Sequence, residues 1–344
     1  MSERPQNVAT VEQLEDLLSE PTPGVLRTLG RLEGDLLILG VNGKMGPTLA
    51  RMARRASDAA GVRRRIIGVS RLGGDAEARL RAHGVEPIRC DLLDPAQLAG
   101  LPDAPNVIYL VGMKFGTTGQ EARTWAVNSF LPGLVSQRYR RSRIVAFSTG
   151  NVYGLTPVHL GGSRESDPLQ PQGEYALSCV GRERIFEHFS RTLGIPMALI
   201  RLNYAAELRY GVLVDLAQRV CSGQPVDVTM GHVNVIWQGD ASAMALQAFD
   251  HVGCPPFVLN IAGPELLSVR RVAEELGRRF DQPVTFAGVE APEAFLSNGQ
   301  FGHRLFGYPR VGAEQLIHWT AEWVRHGGVC LGKPTHFEVR DGQF

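Results

Sequence analysis

From Asp35 to Arg201 the chain alternates short apolar runs with longer stretches whose apolar residues recur every three or four positions. The runs at 36–39, 65–69, 86–89, 106–111, 143–147 and 196–201 read as strands. The stretches at 45–60, 76–82, 119–137 and 174–193 read as helices. Strands that alternate with helices imply right-handed crossovers and a parallel sheet. The runs 106–111 and 144–147 are apolar almost throughout, as strands covered on both faces must be. Beyond Arg201 the texture changes. A helix is expected at 212–220, short strands at 226–228 and 233–237, and a helix at 241–249. The run 258–261 is expected to return to the main sheet, followed by helices at 268–279 and near 313–326. Ahead of the alternation, 11–18 reads as a short helix with Thr10 as its cap, packed on the outside.

The junction of the first strand and first helix is Gly40-Val41-Asn42-Gly43-Lys44-Met45-Gly46. A helix start offers backbone N–H groups and a partial positive charge, and glycines let a pyrophosphate approach them closely. The fold class expected is α/β: a doubly wound parallel sheet of the Rossmann type with a smaller, interleaved C-terminal α/β lobe. Residues 1–34 are expected to form an N-terminal helical appendage. Residues 35–205 form the dinucleotide-binding domain, its sheet completed by segments near 233–262. Residues 206–344 form mainly a small substrate-binding lobe.

Three further segments carry chemistry. The second strand ends Ser70-Arg71, where an arginine suits the 2′-phosphate of NADP better than the ribose hydroxyls of NAD. NADP is therefore favoured over NAD, with Lys44 as a second cation. Asp91, beside Leu92 at the end of the third strand, suits either the adenine amino group or the cap of the next turn. Ser148-Thr149-Gly150-Asn151 follows the fifth strand, and Tyr175 opens the next long helix. A hydroxyl at a strand end and a phenol on that helix converge on one substrate oxygen, one orienting it and the other moving its proton.

Composition narrows the classes. The formal net charge is +1 with no basic or acidic block, so nucleic acid and membrane surfaces gain no electrostatic support. Only Lys44, Lys114 and Lys333 are lysines among 36 basic residues, an imbalance that reads as base composition. Five scattered cysteines, with no C-x-x-C, suit a reducing compartment and neither a disulfide framework nor a zinc site. No His, Asp or Glu group has metal-ligand spacing. With no apolar leader and no run of ~20 apolar residues, the expected location is cytoplasmic.

Between about Asp35 and Val324 the chain resembles the extended short-chain dehydrogenase/reductase superfamily, in its NAD-dependent epimerase/dehydratase branch. The glycine turn at 40–46 matches the nucleotide turn, and Ser148–Gly154 resembles the motif ending Val-Tyr-Gly. The resemblance implies Thr149 as the catalytic hydroxyl and Tyr175 as the catalytic tyrosine. The loop Val111-Gly112-Met113-Lys114-Phe115-Gly116 is similar to one from which a lysine reaches the dinucleotide, so Lys114 inherits that role. Asn128 matches an asparagine of the following helix, and Arg201-Leu202-Asn203-Tyr204 resembles a segment near nicotinamide and substrate. Asp240 matches a structural aspartate of the C-terminal lobe. Implied cofactor contacts are Gly40, Asn42, Gly43, Lys44, Met45, Gly46, Ser70, Arg71, Asp91, Leu92, Val111, Gly112, Lys114, Asn128, Tyr175 and Asn203. Substrate candidates are Phe115, Asn151, Tyr204, His232, His303 and Arg304. The helices 119–137 and 174–193 are those that pair in many similar homodimers.

One position departs from the pattern. Tyr-x-x-x-Lys becomes Tyr175-Ala176-Leu177-Ser178-Cys179. A lysine four residues on would share a helical face with the tyrosine and favour its phenolate; a cysteine does neither. Three readings are open: Lys114 or Arg182 substitutes, Tyr175 acts only as a hydrogen-bonding acid, or the protein binds a dinucleotide with little catalysis. Cys179 itself reads as a packing residue rather than a nucleophile. Two functions follow. The first is an NAD(P)-dependent epimerase/dehydratase or dehydrogenase acting on a sugar or sugar-derived hydroxyl compound. The second is a catalytically weak dinucleotide-binding sensor or regulatory subunit.

Overall fold

The computed structural model describes residues 5–114, 116 and 119–342. Seven strands form one parallel sheet: β1 (Leu36–Leu39), β2 (Ile66–Ser70), β3 (Glu86–Arg89), β4 (Asn106–Tyr109), β5 (Arg143–Thr149), β6 (Met197–Leu202) and β7 (Phe257–Ile261). The spatial order is β7-β6-β5-β4-β1-β2-β3, so the order reverses between β1 and β4. An α/β sheet opens a ligand crevice at such a switch point, outside the carboxyl ends of its strands.

Each central strand divides its side chains between two cores. Leu36 and Ile38 join one apolar cluster, while Leu37 and Leu39 join the other. On β5, Val145 and Phe147 face the first and Ile144 and Ala146 the second. This is the period of two of an extended chain, and it explains the nearly unbroken apolar runs. The helices α1 (Val11–Leu18), α2 (Pro23–Arg31) and α3 (Gly46–Ala59) follow in chain order. Val25 and Leu29 of α2 are fully buried in the first cluster with Leu49, Met52 and Ala53 of α3. Leu14 and Leu18 of α1 are also fully buried, against the C-terminal lobe. Each of the helices α1 and α2 buries one apolar face and leaves the other side exposed or half-buried. The amphipathic pattern of 23–31, started by Thr22 and Pro23, was available in the sequence but is short.

Residues 232–237 do not add to the main sheet. His232–Val233 pairs with Leu267–Ser268, and Ile236–Trp237 pairs with Ala205–Ala206. A third apolar cluster, including Trp237, Trp319, Leu213, Leu216 and Leu276, fills the C-terminal lobe. Among the described residues no helix is long and apolar enough to cross a membrane.

After α4 (Ala76–Ala82) and α5 (Pro95–Ala99), the stretch expected as one helix at 119–137 has three parts: α6 (Glu121–Trp125), a π-helical turn at Ala126–Phe130, and α7 (Leu131–Arg138). Pro132 supplies the reason. It has no N–H to give the carbonyl of Asn128, so the regular ladder is interrupted there. That carbonyl instead accepts from Nε of Arg182 at 3.3 Å.

The helix α8 (Gly173–Leu193) is fixed to the sheet by a buried ion pair. Arg201 on β6 meets Glu183 at 2.7 Å, both side chains under a tenth exposed. Ser148 donates to the same carboxylate at 2.6 Å, and Arg201 donates to Tyr153 Oη at 2.7 Å. Removing one partner of such a pair leaves a buried charge unmatched. Arg201→Met is therefore expected to cost about 3–5 kcal/mol of unfolding free energy, and Arg201→Met/Glu183→Met less than that single change. Urea denaturation reads both; a loss below about 1 kcal/mol for the single variant, the level of an exposed pair, would contradict the analysis.

Candidate functional site

A cleft of about 710 Å³ opens at the carboxyl ends of β1, β4, β5 and β6. Its wall contains Gly40, Asn42, Gly43, Lys44, Met45 and Gly46 from the first turn. Two of these glycines are required by geometry. Gly40 has φ +86°, in the left-handed region, and a Cβ there would lie 3.0 Å from the backbone nitrogen of Val111. A Cβ on Gly46 would lie 2.0 Å from the carbonyl oxygen of Val41, so the turn closes only with glycine. The start of α3 faces the same space through Pro47 and Thr48. Glycines at a helix start beside a cleft of this size fit a dinucleotide pyrophosphate.

Across from the turn stand Ser148, Thr149 and Asn151 from the end of β5, and Tyr175 from the first turns of α8. Thr149 caps the short turn after β5, accepting from the Asn151 amide at 3.2 Å and donating to Asn151 Oδ1 at 3.1 Å. The Tyr175 hydroxyl shares one hydrogen bond with Thr149 and another with the sulfur of Cys179. The two hydroxyls thus converge. Burial is the main influence on Tyr175 and pushes its phenol well above the usual range; Arg182 and the Thr149 bond pull it back only in part.

Cys179 is fully buried with Val152 and Tyr153, and burial raises its thiol. It is a packing residue, and its thiol is hydrogen-bonded to the Tyr175 hydroxyl. Two cations stand near. Arg182 donates to the Phe147 carbonyl at 2.8 Å and to Asn128 Oδ1 at 2.7 Å. Lys114 lies close enough to Cys179 for their charges to interact, and burial lowers its ammonium to about 8. Lys44 is lowered to about 7 by burial, then by repulsion from Lys114 and Lys333. Its Nζ lies 3.0 Å from the ring centroid of Tyr210, across the cleft.

The structure sorts the other sequence candidates. Gly112, Lys114, Asn203 and Tyr204 line the cleft. Asn128 does not. Its amide has all four hydrogen-bonding positions taken: Met113 N and Arg182 Nη2 give to its oxygen, and its nitrogen gives to Met113 O and Ser178 Oγ. Asn128 therefore holds the loop that carries Lys114. Arg201 is committed to Glu183 and lies outside the cleft wall. Val111 is half-buried behind Gly40, also outside the wall.

Ser70, Arg71, Asp91 and Leu92 lie outside it as well. Arg71 is exposed, and the arginine on the wall after β2 is Arg79. Asp91 turns back on its own backbone, accepting from Leu93 N at 3.1 Å, while Asp94 caps α5. His303 is buried, with Nε2 3.0 Å from the Ala262 carbonyl and its ring stacked on Tyr308. Arg304 is exposed, and His232 lies in the ladder with Ser268; neither reaches the cleft. Phe115 lies outside the described residues. Asp240 accepts from Arg310 Nε at 2.9 Å and Val311 N at 3.0 Å, tying the helix Gln238–Gln247 to the C-terminal segment. No cluster of three or more metal-binding side chains occurs among the described residues.

Sequence reasoning missed Tyr210, Arg209, Lys333 and Thr335, all on the cleft wall. They come from the C-terminal half, and no local pattern places them beside a turn at 40–46.

Similar proteins can be set beside this geometry. A UDP-glucose 4-epimerase from Thermotoga maritima, solved with UDP-glucose, superposes with a TM-score of 0.70 at 17% identity, covering 85% of this chain and 99% of that one. A UDP-glucuronic acid 4-epimerase from Bacillus cereus, in complex with NAD, gives 0.69 at 16% identity, covering 85% and 96%. A dTDP-glucose 4,6-dehydratase from Streptomyces venezuelae, with NAD bound, gives 0.71 at 18% identity, covering 84% and 96%. At these identities the likeness is one of fold. No curated protein matches the chain by sequence. The sequence model of the NAD dependent epimerase/dehydratase family matches residues 36–229, more than half of the chain. The chain therefore belongs to the NAD dependent epimerase/dehydratase family, a family of enzymes.

Proposed function

We propose that this protein binds NAD in the cleft and acts as an epimerase, dehydratase or dehydrogenase on a sugar or sugar-derived hydroxyl compound. The observation that carries the reading is the hydrogen-bonded Thr149–Tyr175 pair facing the glycine turn across one cleft. The substrate class is supported by the UDP-glucose bound in the similar 4-epimerase. NAD, when bound on the turn, supplies the hydride acceptor. The leaning towards NADP rested on Arg71, which is not on the wall, and the family is described as NAD dependent.

The chain's own groups handle the hydroxyl proton. Tyr175, kept protonated by burial, orients the substrate oxygen together with Thr149. Lys114, lowered to about 8, has the affinity for protons of a base poised near neutral pH. In this reading its neutral fraction accepts the hydroxyl proton, and the ammonium so formed supplies the positive charge that a lysine at position 179 would have given. Residues 206–344 provide most of the substrate side of the cleft, through Arg209, Tyr210 and Gly211. Exposed Trp125, Phe130 and Leu177 lie on the π-containing helix and α8, and they support a homodimer through that face. Sedimentation equilibrium at micromolar protein tests it; a monomer throughout refutes it.

Calorimetry with NAD and NADP, followed by turnover assays on sugars, sugar acids and nucleotide sugars, tests the reading. Tyr175→Phe is expected to lower turnover by ~10²–10⁴-fold, the usual contribution of a positioned proton-handling group. Its NAD affinity should stay within about threefold, well under 1 kcal/mol. Turnover unaffected by the change, or no affinity for either dinucleotide, refutes the proposal.

The pH dependence has a definite sign. Lys44, faced by Lys114, Lys333, Asp215, Glu207 and Tyr210, loses its proton near 7, and Lys114 loses its own near 8. Both favour an anionic ligand only when charged. NAD affinity is expected to fall about tenfold between roughly pH 6.5 and 9, about 1.4 kcal/mol. A flat profile contradicts it.

A further inference from the structure

Asn203 owes its place in the cleft to the strand register. Thr149 at the end of β5 pairs with Leu202 at the end of β6, so the residues that follow, Gly150 and Asn203, lie side by side. Asn203 lines the cleft, while Gly150 and Asn234 lie outside its wall. An asparagine side chain has two unlike ends, an acceptor oxygen and a donor nitrogen, and its partners decide which end faces where. Here they decide it through a second asparagine.

Asn234 is buried against two backbone carbonyls. Its Nδ2 donates to Ser297 O at 2.7 Å and to Gly263 O at 3.0 Å. A carbonyl only accepts, so a flipped Asn234 would satisfy neither. The oxygen of Asn234 therefore faces the other way, where it accepts from Asn203 Nδ2 at 2.7 Å and from the Ser297 amide at 3.4 Å. The Asn234 carbonyl also lies 3.5 Å from Asn203 Nδ2. These bonds take the nitrogen end of Asn203, so the oxygen is the end it shows to the cleft. A Cβ on Gly150 would lie 3.1 Å from that oxygen and 2.5 Å from Ser297 Oγ, so only glycine leaves room for both. Asn203 Oδ1 thus stands beside the residue that follows Thr149.

On the reading that the cleft holds NAD, we propose that Asn234 is a positioning residue that locks Asn203 as a hydrogen-bond acceptor, and that this acceptor selects a neutral donor, N–H or O–H, on the bound molecule next to Thr149. Such a donor has two sources: the carboxamide of NAD and a hydroxyl of the substrate. A bare carbonyl or an anionic oxygen at that point would meet Oδ1 with no proton between them, and the site rejects it.

Calorimetry on the full chain tests this. NAD is compared with its acetylpyridine analogue, in which a methyl ketone replaces the carboxamide and removes its N–H. The chain saturated with NAD is then titrated with UDP-glucose. The variants are Asn203→Ala, Asn234→Ala and the two together. If the carboxamide is the donor, the parent binds NAD at least about tenfold more tightly than the analogue, and each single variant abolishes that preference. If the substrate is the donor, NAD and the analogue bind alike, and each single variant weakens UDP-glucose about tenfold or more. In both cases the double variant is no weaker than Asn203→Ala, because Asn234 acts through Asn203. A merely structural Asn234 would weaken both dinucleotides equally and add to the loss in Asn203→Ala, a result that overturns the proposal. So does an Asn203→Ala variant that changes neither the dinucleotide preference nor the binding of UDP-glucose.

Asn234→Ala leaves two buried carbonyls unpaired, so a ligand-free measurement on the unaltered chain stands beside it. The side-chain amide protons of Asn203, assigned in NMR spectra of isotope-labelled asparagine by their loss in Asn203→Ala, should exchange with deuterium at least about tenfold more slowly than exposed amides, before and after NAD is added. Protons that exchange as fast as exposed ones, or that become protected only when NAD binds, put the nitrogen in the cleft and overturn the proposal. If the parent binds no NAD, the proposed function falls. The exchange measurement, with UDP-glucose titrated into the ligand-free chain, then upholds or overturns this inference.

Discussion

Two adjacent residues on α8, Arg182 and Glu183, govern the position of everything else in the site. Consecutive helical side chains point about 100° apart, so the pair grips two different neighbours. Glu183 takes Arg201 from β6 and Ser148 from β5. Arg182 takes the carbonyl of Phe147 on β5 and both the side chain and the carbonyl of Asn128. Both side chains are buried, so each bond is made in a medium where leaving it unmade is costly. Tyr175 lies two turns upstream on the same helix, and its distance from Thr149 is set by this grip.

The π-turn at Ala126–Phe130 belongs to the same constraint. Pro132 leaves the Asn128 carbonyl without its helical donor, and Arg182 supplies one. The Asn128 side chain then clasps Met113 from both its amide and its carbonyl. A helix irregularity, a buried arginine and a loop backbone are thereby locked together, and the loop delivers Lys114 to the cleft. Gly181 permits the close crossing; a Cβ there would lie 2.5 Å from Ser129 Oγ.

Replacement of the expected lysine at position 179 by a buried cysteine moves positive charge rather than removing it. With no ammonium beside Tyr175 on its own helix, burial dominates its phenol. Cations arrive from other elements instead: Lys114 from the loop after β4, Lys44 from the glycine turn and Lys333 from the C-terminal strap. Their mutual repulsion, added to burial, lowers Lys44 to about 7. Lys44 and Lys114 therefore keep their charge below neutral pH and give it up as the pH rises through about 7 and about 8.

The sequence by itself determined what depends on neighbours along the chain. Alternating apolar runs specified β1 to β6 within one or two residues at most ends, because burial on both faces makes the central strands apolar over most of their length. The glycine turn and the Thr149–Tyr175 pair were legible because each is a local motif with its own steric or chemical requirement. Only the tertiary structure decided which side chains are spent on the framework. Arg201, Asn128 and Asp91 all look like ligand contacts in sequence, yet each is engaged by partners inside the protein. The same holds for the three lysines. Their scarcity was visible, but positions 44, 114 and 333 meet only because the sheet brings two loops to one edge and the buried Phe337 anchors the C-terminal strap across them. Hydrogen-bond saturation and charge convergence are properties of contacts between residues far apart in the chain, and no window of local sequence contains them.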